Sequence, residues 1–323
     1  MQHFVRLSEF KVLKQMEETT ETPKGVTLIQ APEIWNQTKG EGVTIAILDT
    51  GCDPTHPELK DRIIGGRNFT EDDEGNPEAF NDYNGHGTHV AGTIAAEQNE
   101  QGVVGVAPKA DLLIIKVLDK DGSGNYQWII DGIQYAINQG VDIISMSIGG
   151  PTEVPALHTV IKKAVTEHNI PVVCAAGNEG DGKEETVERA YPGSYNEVIS
   201  VGAVNLNRRS SDFSNTNREV DLVAPGEEIT STYLNGTYAT LSGTSMATPH
   251  IAGALALIKN ITTTSFEREL TEAELYAQLI RRTLPLGYSA KFEGNGLVYL
   301  TLLDYLDSIF DNLKTKSFAI MND

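Results

Sequence analysis

Ser245 lies in Ser242-Gly243-Thr244-Ser245-Met246-Ala247-Thr248-Pro249-His250, directly ahead of the apolar run Ile251–Ile258. This pattern predicts a hydroxyl in the first turn of a buried helix. There the helix dipole and unpaired backbone N–H groups stabilise an anion forming beside it. A serine hydroxyl is a poor nucleophile at neutral pH, so it needs a base and a group that orients the base. His86 is framed by glycines in Asn84-Gly85-His86-Gly87-Thr88-His89 and precedes a helical pattern, while Asp49 ends the apolar strand pattern that begins at Thr44. Carboxylate, imidazole and hydroxyl in the order Asp, His, Ser supply orienter, base and nucleophile for acyl transfer. His89 lies on the same predicted helix and is read as non-catalytic. Asp53 and Asp82 are read as surface or turn carboxylates.

The elements that must position these groups alternate. Val43–Leu48, Leu112–Val117, Asp142–Met146, Val172–Ala175 and Val198–Val204 read as buried strands, and Thr88–Ala96, Tyr126–Gln139 and Val154–His168 as helices. Single helices between strands imply right-handed crossovers and a mostly parallel sheet covered on both faces, with the site beyond the carboxyl ends of the strands. Asp49 and Asn178 both follow predicted strands in that sense. The segment Glu227–Leu241, with its Asn235-Gly236 turn signal, predicts a hairpin that delivers the chain to Ser245. Thr271-Glu-Ala-Glu274 is a capping box opening a helix that runs to about Thr283, with Pro285 and Gly287 beyond it.

Composition bounds the function. The chain has 323 residues, 40% of them hydrophobic, and a net charge of −20, which argues against nucleic acid or an anionic membrane surface as partner. No segment approaches the roughly 20 apolar residues that span a bilayer. The N-terminus lacks an apolar signal core, so a cytoplasmic location is expected. The two cysteines, Cys52 and Cys174, imply no disulfide framework and are read as buried, inert thiols.

The Asp49, His86 and Ser245 blocks together resemble the subtilisin family of serine peptidases, over about Pro23 to Leu300. The resemblance implies an α/β, three-layer subtilisin-like fold with a mostly parallel central sheet and helices on both faces. It implies that Asn178, in Ala175-Ala176-Gly177-Asn178-Glu179-Gly180, donates its side-chain amide to the tetrahedral oxyanion beside the N–H of Ser245. It further implies that an extended peptide pairs with Gly122-Ser123-Gly124 on one side and Ser147-Ile148-Gly149 on the other. Small walls at Ser147–Gly150 and Ala175–Gly177 then favour a large apolar or aromatic residue before the scissile bond. Glu179 stands at the rim and could draw basic residues; Tyr126 and Ile129 match a further apolar pocket. Calcium is the implied cofactor, held by Asn99, the carbonyls of Glu97, Gln101 and Val103, and the Glu58 carboxylate, all oxygen ligands suited to a hard cation. Thr20 stands near the position of a glutamine ligand. The resemblance also implies a weaker cation position at Gly193, Tyr195 and Val198, with Glu219 or Asp221, a plain solvated loop being the equal alternative.

About twenty residues precede Thr22-Pro23-Lys24-Gly25, as in the intracellular subtilisins of Bacillus-like bacteria. In that subgroup a short extension crosses the active site with a Leu-Ile-Pro-Tyr motif, and the matching stretch here is Leu7-Ser8-Glu9-Phe10, without the proline. The expected organisation is an inhibitory extension at 1–20, a peptidase domain at 21–300 and a tail at 301–323. Within the tail, Leu302–Phe310 is a candidate contact for a homodimer. The leading function is a broad-specificity serine endopeptidase acting on intracellular polypeptides and activated by N-terminal removal. The rival is an idle peptide-binding or inhibitory scaffold. A dinucleotide-binding protein needs a glycine-rich fingerprint after the first strand, which Asp49-Thr50-Gly51-Cys52 does not supply.

Overall fold

A computed structural model describes residues 4–7 and 10–309. In chain order the strands are β1 (Phe4–Arg6), β2 (Lys11–Met16), β3 (Thr20–Glu21), β4 (Thr44–Asp49), β5 (Ile63–Asn68), β6 (Gly102–Val103), β7 (Asp111–Lys116) and β8 (Ser123–Asn125). They continue as β9 (Ile143–Met146), β10 (Val172–Ala175), β11 (Ile199–Val204), β12 (Leu222–Pro225), β13 (Ile229–Thr232), β14 (Tyr238–Ser242), β15 (Thr283–Leu284) and β16 (Leu297–Val298). The helices are α1 (Lys24–Leu28), α2 (His86–Ala95), α3 (Tyr126–Gln139), α4 (Pro155–His168), α5 (Thr244–Phe266), α6 (Glu272–Ile280) and α7 (Ala290–Glu293).

Nine strands form the central sheet in the order β15-β16-β12-β11-β10-β9-β4-β7-β5. All pair in parallel except the edge strand β15. Side chains alternate across a strand, and the two faces separate accordingly. Ile45 and Ile47 of β4 join Val90 and Ile94 of α2 and Leu255 of α5 in one buried cluster. Ala46 and Leu48 join Ile133 of α3 and Ile161 of α4 in the other. Three layers result, as the sequence implied. α5 is buried without interruption from Thr244 to Ile258, which is why its run Ile251–Ile258 is apolar on every side.

One boundary differs from the sequence reading. The capping box forms in full, with Thr271 accepting from the Glu274 N–H and Glu274 reaching back, but α6 ends at Ile280 because Thr283–Leu284 leaves to pair with β16. The hairpin of β13 and β14 forms with Asn235 and Gly236 at φ 57° and 69°, closed by the Tyr233 N–H donating to the Thr237 carbonyl at 2.6 Å.

Residues before Pro23 run as three short strands over the domain. β1 pairs antiparallel with β8, β2 adds to the β13–β14 hairpin, and β3 pairs with β6. Ser8 and Glu9 of the matching motif lie outside the described residues. At the other end, residues 302–309 are helical, and the rest of the expected dimer segment and tail lies outside the described residues. Among the described residues, no helix is long and apolar enough to cross a membrane.

Candidate active site

The parallel sheet brings Asp49, at the carboxyl end of β4, next to the first residue of α2. The backbone of Asp49 is held by the Val117 and Leu118 N–H groups, which both donate to its carbonyl. Its carboxylate Oδ1 accepts from the Thr50 N–H at 2.7 Å and lies 2.8 Å from His86 Nδ1. Both side chains are buried. A carboxylate accepts only, so Nδ1 carries the proton and Nε2 presents a lone pair. No hydrogen-bond partner meets Nε2 among the described residues.

Ser245 is the second residue of α5, as predicted. Its hydroxyl donates to the Ser147 carbonyl at 3.2 Å, and the Ser147 hydroxyl donates back to the Ser245 carbonyl at 2.9 Å. The second bond has a local cause. Pro249 has no N–H to offer the carbonyl four residues earlier, and the Ser147 hydroxyl fills that place. Ser245 is therefore turned towards Ser147 rather than His86. Asn178 accepts from both the N–H and the hydroxyl of Thr244 at 2.8 Å through its Oδ1. This fixes the amide NH2 as the donating end on a side chain that lines the cleft.

Of the two readings of Asp82, surface or turn, the turn holds: the side chain is buried and accepts from the Thr50 hydroxyl, the Asn84 and Gly85 N–H groups, and both the N–H and hydroxyl of Thr88. One carboxylate thus caps the α2 N-terminus and ties it to the residue after Asp49. Asp53 behaves as expected, capping its own turn at Thr55. The glycines beside His86 are required by packing. Gly85 has φ 98°, where a Cβ would enter the Tyr233 ring, and a Cβ on Gly87 would strike the Gly51 carbonyl. His89 donates from Nε2 to the Ile229 and Ala239 carbonyls at 3.0 and 3.2 Å, fastening α2 to the hairpin. Burial pushes its pKa down to about 3, and that of His250, which bonds the Met246 carbonyl, down to about 4. Both thiols are buried, and burial raises them well above their usual range.

The cleft holds the chain's own N-terminal segment. Val5 and Arg6 pair with Gly124 and Ser123, Arg6 bridges to Gly149 on the opposite wall, and the Leu7 N–H donates to the Gly122 carbonyl at 2.9 Å. Val5 is fully buried in the cluster containing Tyr126, Ile129 and Ile148. The Phe10 ring lies 5.0 Å from that of His86. Beyond it opens a cavity of about 940 Å³ lined by Leu7, Phe10, Asn178, Phe213 and Glu228. Ala175 and Gly177 flank the end of β10, and the close approach of Gly193 to the Ala175 carbonyl leaves no room for a Cβ. Glu179 is held in place by Asn215, which donates to its Oε2 at 2.8 Å.

Glu58 is buried beside the 97–103 loop. The Tyr238 hydroxyl donates to its Oε1, Oε2 has no partner among the described residues, and burial pushes its pKa up to about 7. A buried, half-paired carboxylate beside the loop that carries Asn99, whose Oδ1 accepts from the Gln101 N–H at 3.1 Å, fits an oxygen-seeking cation. Among the described residues, no group of three or more His, Cys, Asp or Glu side chains could hold a metal, so carbonyls of Glu97, Gln101 and Val103 would have to complete such a site. The weaker position has less support. The Tyr195 carbonyl accepts from the Val198 N–H, Asp221 is engaged by Tyr276 and the Ser200 N–H, and Glu219 pairs with Arg189.

Fold and site define a peptidase of the subtilase class. The subtilase family profile matches residues 40–297, and the chain belongs to that family. It is 68% identical over 311 residues to the intracellular serine protease of Paenibacillus polymyxa, covering 96% of this chain and 95% of that protein. It is 57% identical over 304 residues to the major intracellular serine protease of Bacillus subtilis, covering 94% and 95%. To subtilisin E of Bacillus subtilis it is 50% identical over 238 residues, covering 73% of this chain and 60% of that protein. The chain is a subtilisin-type serine protease.

Proposed function

We propose that this protein is an intracellular endopeptidase of broad specificity, made as a precursor whose N-terminal segment must leave the cleft. The observation that carries this reading is the pairing of residues 4–7 between Gly122–Gly124 and Gly149, beside a hydrogen-bonded Asp49–His86 pair and Ser245. A segment held in that way occupies the place of an extended substrate.

In the proposed reaction, His86 Nε2 takes the Ser245 proton as the hydroxyl attacks the carbonyl, and Asp49 holds the imidazolium that forms. The Asn178 amide and the Ser245 N–H at the start of α5 receive the oxyanion. His86 then gives its proton to the leaving amine, and water repeats the sequence on the acyl-enzyme. Ser245 must turn from Ser147 to His86 before this begins, which agrees with a precursor at rest. Large apolar residues suit the pocket before the scissile bond, and calcium suits the Glu58 loop. The acidic charge disfavours nucleic acid and membranes as partners. Tyr305, Leu306 and Ile309, exposed on the C-terminal helix, support a homodimer contact, which sedimentation at micromolar concentration with and without residues 302–323 would check.

The test is hydrolysis of a chromogenic peptide bearing Phe before the leaving group, in calcium, beside Ser245→Ala and a sample treated with a serine-directed inhibitor. Signal from the untreated enzyme alone, after a lag that tracks loss of the N-terminal segment, is expected. Silence even after that segment is cut away would favour the idle scaffold.

A further inference from the structure

Lys116 has the largest fully buried side chain among the described residues, and it closes β7 directly opposite Asp49 in the parallel register. Burying an ammonium is costly unless it is paired and hydrogen-bonded, and an apolar residue would serve the core at a strand end equally well. The ammonium donates to the Thr50 carbonyl at 2.6 Å, pairs with Asp72 Oδ2 at 3.0 Å, and lies 5.6 Å from the Tyr83 ring. Thr50 is the hub between the two halves of the site. Its N–H donates to Asp49, its hydroxyl donates to Asp82 and accepts from the Gly87 N–H beside His86, and its carbonyl is the atom that Lys116 holds.

We infer that Lys116 is a positioning residue for the Asp49–His86 pair: its buried ammonium fixes the Thr50 peptide, whose N–H aims the Asp49 carboxylate and whose hydroxyl holds the Gly87 N–H beside His86. Asp72, with 12% of its side chain exposed, is the carboxylate that compensates the buried charge.

The inference rests on reading His86 as the base, and the experiment separates the two. Two readouts are compared in the full chain: the Nδ1 proton resonance of His86 in the Ser245→Ala background, which reports its hydrogen bond to Asp49, and kcat against KM on one peptide with Ser245 intact. Lys116→Met is expected to weaken or move that resonance and to lower kcat at least tenfold with KM nearly unchanged, and Lys116→Arg, which keeps a donor for the Thr50 carbonyl, to recover part of both. An unchanged resonance and kcat in folded Lys116→Met would overturn the inference. If Lys116→Met does not fold, Lys116→Gln takes its place with the same two outcomes. Should the enzyme with Ser245 intact prove inactive on every peptide, the function reading fails while the resonance still decides the role of Lys116.

Discussion

Asn178 and Asp82 sit a few ångströms from the same chemistry and do different work. Asn178 is held at its Oδ1 by Thr244, so truncation removes the donor at the other end without emptying a core. Asn178→Ala is expected to lower kcat by about 10²–10³ with KM nearly unchanged, the size such a donor carries in a subtilisin; steady-state kinetics on one peptide would measure it. Asp82 is the sole acceptor joining Thr50, Gly85 and Thr88, so Asp82→Ala leaves several buried donors unpaired at about 1–3 kcal/mol each. That variant is expected to lose thermal stability and kcat together. A variant with full stability and only a rate defect would show that Asp82 acts on the reaction without holding the frame.

At the scale of elements, the proposed inhibition rests on single strands. β1 is held by pairing on both walls and by Val5, whose burial stabilises the closed state by roughly 1.5–3 kcal/mol. Val5→Asp removes that contribution and puts a charge among Tyr126 and Ile129. It is expected to shorten the lag before full rate at least tenfold; progress curves with an unchanged lag would count against occupation of the cleft as the brake. β2 and β3 hold the same segment farther on, against the hairpin and against Gly102–Val103. Main-chain pairing and the burial of Val5 together retain the segment, while Val12 and Leu13 are about half exposed.

The whole molecule integrates two opposed pH dependences. His89 and His250 have folded pKa values of about 3 and 4, below the unfolded value of 6.5. Their contribution is present in full above pH 6.5 and is lost as pH falls towards 4 and 3, because the unfolded chain binds the extra protons. Glu58 runs the other way. Its folded pKa of about 7 lies above 4.5, so without metal it weakens the fold as pH rises from 4.5 to 7. Unfolding midpoints measured across pH 3–8 are expected to fall at the acid end in all samples. In chelator they should also sag towards pH 7, and calcium or Glu58→Gln should remove that sag.

The sequence by itself determined the alternation of elements and singled out Asp49, His86 and Ser245 as candidates, with Asn178 added by the resemblance to the subtilisins. Those signals are local: a strand ending in a carboxylate, a histidine between glycines, a serine opening an apolar helix. The capping box at Thr271 and the hairpin turn at Asn235 were legible for the same reason. Tertiary structure decided what depends on partners far along the chain. Lys116 meets a carbonyl 66 residues away, and Ser147 fills the place left by Pro249 across 98 residues. Asp82 reads as a turn residue until β4 arrives beside it. The glycines around His86 read as room for substrate until Tyr233 and Gly51 take that room. A side chain's type can be read in place, but burial, pairing and the direction of a hydroxyl are set by the neighbours that folding supplies.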